Sequence, residues 1–137
     1  MSIHRIILID DDEGFLLVSK IIIRRLLPEA TVVPFSQPRL ALDFLINEFI
    51  ITNPNEKTIL FLDVNMPGMS GWDFLRGFDA LPDTAKQSIR IYMLSSSIDS
   101  RDEDRAKDNP SIVEFISKPL SLEKLDALLQ NLNMMRP

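Results

Sequence analysis

Four short stretches hold the residues whose types and spacing could do chemistry. They are Asp10-Asp11-Asp12, the single Asp63, the serine run Ser95-Ser96-Ser97, and Ser117-Lys118-Pro119. Carboxylates gathered at one point repel one another and raise each other's pKa. A hard cation removes that conflict, and magnesium prefers oxygen ligands, taking one or two carboxylates with waters or phosphate oxygens. Lys118 is a poor metal ligand but a good point charge for a phosphate. A carboxylate beside magnesium can act as a nucleophile and form an aspartyl phosphate. Phosphoryl transfer asks mainly for in-line positioning and charge neutralisation. These residues would supply both, provided the chain brings the four stretches together.

The elements around them predict that it does. Arg5–Ile9 and Thr58–Asp63 are continuous apolar runs, the pattern of strands buried on both faces. Thr31–Pro34 reads as a weaker strand, and Pro34 places it at or near an edge. Arg90–Leu94 and Ile112–Ile116 complete five strands. Between them lie amphipathic stretches. Phe15–Leu27 carries apolar residues at Phe15, Val18, Ile22 and Leu26, at helical spacing, and Pro28 stops it. A second helix starts at Ser36 or Gln37 with Pro38 in its first turn, burying Ala41, Phe44, Leu45 and Phe49. Thr52–Lys57 is a turn-rich loop. A third helix runs from about Trp72 to near Pro82. Ser97–Asp108 is almost wholly polar, a short exposed helix or an irregular segment. Ser121 caps a last helix with Leu122, Leu125, Leu129 and Leu132 on one face. Strands alternating with helices predict a parallel sheet covered on both faces. Ligands of such sheets bind beyond the carboxyl ends of the strands, where all four stretches fall.

Composition narrows the function further. The 137 residues include no cysteine and one histidine, His4, near the N-terminus. That excludes disulfides, thiolate metal sites and cysteine nucleophiles, and leaves no well-placed histidine for a serine–histidine hydrolase or zinc centre. A net charge of −5 opposes non-specific nucleic-acid binding. No apolar run reaches the ~18 residues of a membrane span. One domain over residues 3–132 is expected, with a tail at 133–137, in the cytoplasm. Taken singly, the residues have bland readings. Asp12 fits a helix N-cap, Asp10 or Asp11 a solvated turn, and the serines a loop. Asp99, Asp102, Glu103, Asp104 and Asp108 fit a solvated face. Trp72, Phe74, Leu75 and Phe78 fit packing. Their order at four strand ends favours a site.

With IILIDD, LDVNMPGMSG, IYMLSS and FISKP in that order, the chain resembles the receiver domain of two-component response regulators, from about Ile3 to Leu132. The resemblance implies an α/β, flavodoxin-like three-layer sandwich: a five-stranded parallel sheet of order 2-1-3-4-5 with five helices. It implies Asp63 as phosphoacceptor. Magnesium would be held by Asp11 directly, Asp10 through water or hydrogen bonds, Asp63, and the backbone carbonyl of Asn65. Ser95 would hydrogen-bond the phosphoryl group and Lys118 would pair with it, oriented by a cis peptide to Pro119. Phe115 would be the switch aromatic. Departures are Ser95 for the usual threonine, Ser96 for alanine, no hydroxyl on Phe115, a long stretch from Glu48 to Lys57, and the polar segment Asp99–Asp108.

The function implied is a stand-alone, chemotaxis-regulator-like phosphoacceptor and not an enzyme acting on other substrates. It would take its phosphoryl group from a sensor histidine kinase or phosphotransfer protein and signal to a downstream protein. The helix beginning at Phe15 is the expected kinase-docking face. Two other readings compete. A magnesium-dependent aspartate-nucleophile phosphatase usually has a second acid two residues after the nucleophile, where this chain has Asn65, which cannot serve as that acid. A phosphorylation-independent interaction module on the same fold would be expected to have lost the acceptor, acid pair or lysine.

Overall fold

The computed structural model describes residues 3–49, 56–96 and 99–134. Five parallel strands run β1 Arg5–Ile9, β2 Thr31–Phe35, β3 Thr58–Asp63, β4 Ile89–Ser95 and β5 Ile112–Ser117, in the order β2-β1-β3-β4-β5. The helices are α1 Glu13–Leu26, α2 Pro38–Phe44, α3 Gly71–Phe78, α4 Asp83–Gln87, α5 Ser100–Lys107 and α6 Leu122–Met134. The described residues thus contain six α-helices where the sequence predicts five. The stretch from Trp72 to Pro82 ends at Phe78, and a short α4 follows Pro82. α2 loosens into a π-helical turn over Leu45–Phe49, which apolar spacing does not signal.

Both faces of the sheet are covered, because alternate residues of each strand point to opposite sides. Ile7, Ile9, Leu60, Leu62 and Met93 pack with Ala41 of α2, Leu45 of the π-helical turn, and Phe74 and Phe78 of α3. Ile6, Leu8, Phe61, Tyr92 and Leu94 pack with Leu16, Ile23, Leu125 and Leu128 of α1 and α6. All six residues of the central β3 are buried. Pro34 lies on the edge strand β2, where its missing N–H costs no ladder bond on the open side.

Two helix faces differ from expectation. On α1 the buried residues are Leu16, Ser19 and Ile23, while Val18 is 56% exposed. Leu16, Leu17, Val18, Ile21, Ile22 and Ile23 surround the helix with apolar side chains, so spacing alone does not select the inward face. On α6, Leu128 is buried and Leu129 only partly so. None of the described helices is long and apolar enough to cross a membrane.

One irregularity bears on the site. β4 and β5 pair Ile91 with Ile112 but Tyr92 with Glu114, leaving Val113 as an extra residue. A one-residue insertion shifts everything after it by one position. The shift sets Ser117 opposite Ser95 and lets the Lys118 N–H donate to the Ser95 carbonyl at 2.8 Å.

Candidate functional site

The carboxyl ends of β1, β3, β4 and β5 converge. Asp10 directly follows β1 and is 1% exposed. Its Oδ1 accepts the Asp12 N–H at 2.9 Å, and its Oδ2 lies 2.6 Å from the Lys118 ammonium. Oδ2 is buried, and its contact with the ammonium is a close ion pair. Asp63 is 5% exposed, with Oδ1 3.3 Å from the same ammonium. Asp11 stands beside them on the exposed side, and Asp10, Asp11 and Asp63 each bring one carboxylate oxygen within 4.8 Å of the others.

Electrostatics follow from that crowding. Burial pushes the Asp63 carboxyl up to about 6, with the Asp10 charge adding to the rise and Lys118 opposing it. Burial pulls the Lys118 pKa down, but hydrogen bonding and attraction to Asp10 and Asp63 outweigh it, so the net direction is upward and the ammonium stays charged. The Lys118 ammonium also sits 4.6 Å above the centre of the Phe15 ring. Phe15 was expected only as a packing residue of α1. Its cation–π contact shields one side of the ammonium and leaves the acidic side as its polar outlet.

Other predicted residues fall as follows. Ser95 is 2% exposed at the end of β4, and the Lys118–Pro119 peptide is cis. Asn65 lies exposed in the loop after β3. Phe115 is half-buried opposite Met93 and lines a cavity of about 390 Å³ with Glu103, Ala106, Lys107 and Ile112. Ser97 lies outside the described residues, as do Thr52–Asn55 of the long loop. Asp12 has its bland role, its Oδ1 accepting the Phe15 N–H at 3.1 Å to cap α1.

Sequence reasoning missed two supports. Gly71 begins α3 and donates its N–H to the Val64 carbonyl at 2.8 Å. A Cβ there would lie 2.6 Å from the carbonyl oxygen of Asp63, so the helix approaches the acidic residue's own backbone closely. The MPGMSG run flags small residues but not this contact. The second is Trp72, which is packed as expected but also donates from Nε1 to Asp102 at 3.2 Å, with the Arg105 guanidinium 4.4 Å above its ring. The polar segment containing Asp102 is therefore not solvation alone: Asp99 caps α5, and Asp102 and Arg105 hold it to α3.

The donor set fits magnesium. An octahedral shell with bonds near 2.1 Å spans about 4.2 Å across, and the three carboxylate oxygens lie within 4.8 Å of one another. Asp10, Asp11 and Asp63 each offer a carboxylate oxygen, the hard donor this ion prefers.

Comparison with known proteins agrees with this arrangement. A two-component response regulator from Cytophaga hutchinsonii superposes with a TM-score of 0.85 at 29% identity, over 97% of this chain and 99% of that one. A response regulator receiver protein from Dyadobacter fermentans gives 0.81 at 26%, over 93% and 96%. The Vibrio cholerae chemotaxis protein CheY4 shares the fold, at 0.73 and 19% identity, over 95% and 98%. No curated protein matches the chain. Residues 6–130 match the family model of the response regulator receiver domain, and with nearly the whole chain covered, this protein belongs to that family.

Proposed function

We propose that Asp63 is the acceptor of a phosphoryl group carried in by the phosphohistidine of a sensor histidine kinase or phosphotransfer protein. One observation carries the reading: a buried carboxylate at a central strand end, 3.3 Å from an ammonium and grouped with two further acids. An Asp63 oxygen attacks phosphorus as the P–N bond breaks, and the departing imidazole keeps the electron pair and is neutralised by a proton. Lys118 stands where it neutralises charge on the transferred group, and Ser95 offers a hydroxyl beside it. Asp10, Asp11, Asp63 and the Asn65 carbonyl are the residues that would hold magnesium, which when bound supplies charge neutralisation for the phosphoryl oxygens.

The same reading gives the output. Ser95 and Phe115 lie on neighbouring strands, and Phe115 borders an open cavity against α5. Movement of Ser95 toward a new phosphoryl group frees room for Phe115 to turn inward, biasing a surface built from α5, β5 and α6 toward a protein partner. Kinase docking falls to α1, whose Leu17, Val18 and Ile21 are each more than half exposed just past the Asp12 cap.

The test is acetyl phosphate labelling with magnesium, followed by mapping of the modified residue. Asp63 is expected to carry all of the label, and Asp63→Asn to abolish it. Undiminished labelling of that variant, or multiple turnover on phosphomonoesters, would reject the assignment.

A further inference from the structure

Lys124 breaks a local rule. Ser121 caps α6, accepting the Lys124 N–H on its Oγ at 3.1 Å, so Lys124 occupies the third helical position. There a glutamate or glutamine completes a capping box, and the positive end of the helix dipole disfavours a cation. Lys124 forms no ion pair among the described residues. Instead its ammonium donates to the Ser117 carbonyl at 2.8 Å, the Ser117 hydroxyl at 3.2 Å and the Pro119 carbonyl at 3.2 Å. All three of its donors are used, and the two carbonyls belong to the residues immediately before and after Lys118.

We infer that Lys124 is a positioning residue that clamps the backbone on both sides of Lys118 and so fixes where the Lys118 ammonium stands. The inference rests on the phosphoacceptor reading for its functional consequence, but its geometry stands apart. The Lys118 N–H is held by Ser95 at 2.8 Å, and Lys124 ties down the carbonyls of the residues on either side, Ser117 and Pro119. Leu125, the next residue, is fully buried and anchors the helix from which the clamp reaches. A side chain as long as lysine's keeps a 2.6 Å contact to Asp10 and a 3.3 Å contact to Asp63 only if its own main chain is fixed. A local pattern broken where a site gains a support is expected of functional positions.

The experiment compares the full chain with Lys124→Gln and Lys124→Arg. Glutamine keeps the Ser121 cap and can complete the capping box while removing the ammonium. Four quantities are read: the thermal midpoint, magnesium affinity by calorimetry, the initial rate of aspartyl phosphate formation from acetyl phosphate at saturating magnesium, and hydrogen exchange at the Lys118 amide relative to Leu125. In Lys124→Gln the midpoint and magnesium affinity are expected to hold. The rate falls about tenfold or more, as small misplacements of a reacting group do. Exchange at Lys118 quickens while that at Leu125 does not, and arginine restores part of the rate. A wild-type rate in Lys124→Gln, or a loss that merely follows the unfolded fraction, overturns the inference. If the wild-type chain itself takes no phosphoryl group, the phosphoacceptor reading fails. Exchange at Lys118 then decides the clamp alone: faster upholds it and unchanged overturns it.

Discussion

Asp63 shows what the site costs as well as what it does. Its folded pKa of about 6 stands above the value of 3.8 for an unhindered aspartate. Below the lower value both the folded and unfolded chains hold the proton; between the two only the folded chain does. Metal-free stability therefore falls as pH rises through that window, by at most about 3 kcal/mol at 1.36 kcal/mol per unit. Urea unfolding in chelator across the window should show this slope, and Asp63→Asn should flatten it and be more stable near neutrality. Equal slopes for the two proteins would mean that the buried carboxylate is not the titrating group. Gly71 gives a second residue-scale outcome. A Cβ placed 2.6 Å from the Asp63 carbonyl oxygen meets backbone that cannot swing aside. Gly71→Ala should cost roughly 1–3 kcal/mol, as overpacking does, and should slow acetyl phosphate labelling if the displaced residue is the acceptor, as proposed. Unfolding curves and initial rates measured on the same preparations check both halves.

At the scale of elements, the proposal of α1 as the kinase-docking face makes a separable prediction. Leu17 and Ile21, at 63% and 56% exposure, face away from the sheet, so changing them to lysine should alter stability by no more than about 0.5 kcal/mol. Labelling by acetyl phosphate, which needs no docking face, should be unchanged, while transfer from any histidine kinase that labels the parent chain should slow. Equal kinase rates in parent and variant would move the docking face elsewhere. That exposed stripe also shows how far the sequence could be read. β1 and β3 were legible because uninterrupted β-branched and leucine runs have few other uses, and the acids following them locate the site. The inward face of α1 was not, because apolar residues on every side of a helix leave its rotation to tertiary packing. The Val113 bulge was equally hidden, since no local residue type marks an insertion in a parallel ladder. Yet the bulge decides that Ser117 and Lys118, and not their neighbours, stand beside Ser95. Phe15 looked like packing because a cation above its ring comes from a residue more than a hundred positions away.

The molecule as a whole is a sheet whose one end gathers like charge. Ionised Asp10, Asp11 and Asp63 against Lys118 leave a local charge of about −2, in a region where burial weakens the help of water. Neighbours at 19–29% identity keep the same sheet over nearly the entire chain, so the scaffold tolerates wide change while this end stores unfavourable charge. A divalent ion that binds only the folded chain converts that charge into stability, by RT ln(1 + [L]/Kd), or about 2.7 kcal/mol at a hundredfold excess over Kd. Because the proton on Asp63 competes with the ion, the gain must depend on pH. Above about 6 the carboxylate is already bare; below it each bound ion displaces a proton, and the apparent affinity weakens by up to about tenfold per pH unit. Thermal midpoints with and without millimolar magnesium should therefore diverge more near pH 7.5 than near pH 5, both taken as approximate working points. Asp11→Asn, which removes a carboxylate without touching the buried pair, should shrink the divergence at both. A midpoint shift independent of pH and indifferent to Asp11 would place the ion at some other part of the surface, and would leave the carboxylate cluster to be balanced by Lys118 alone.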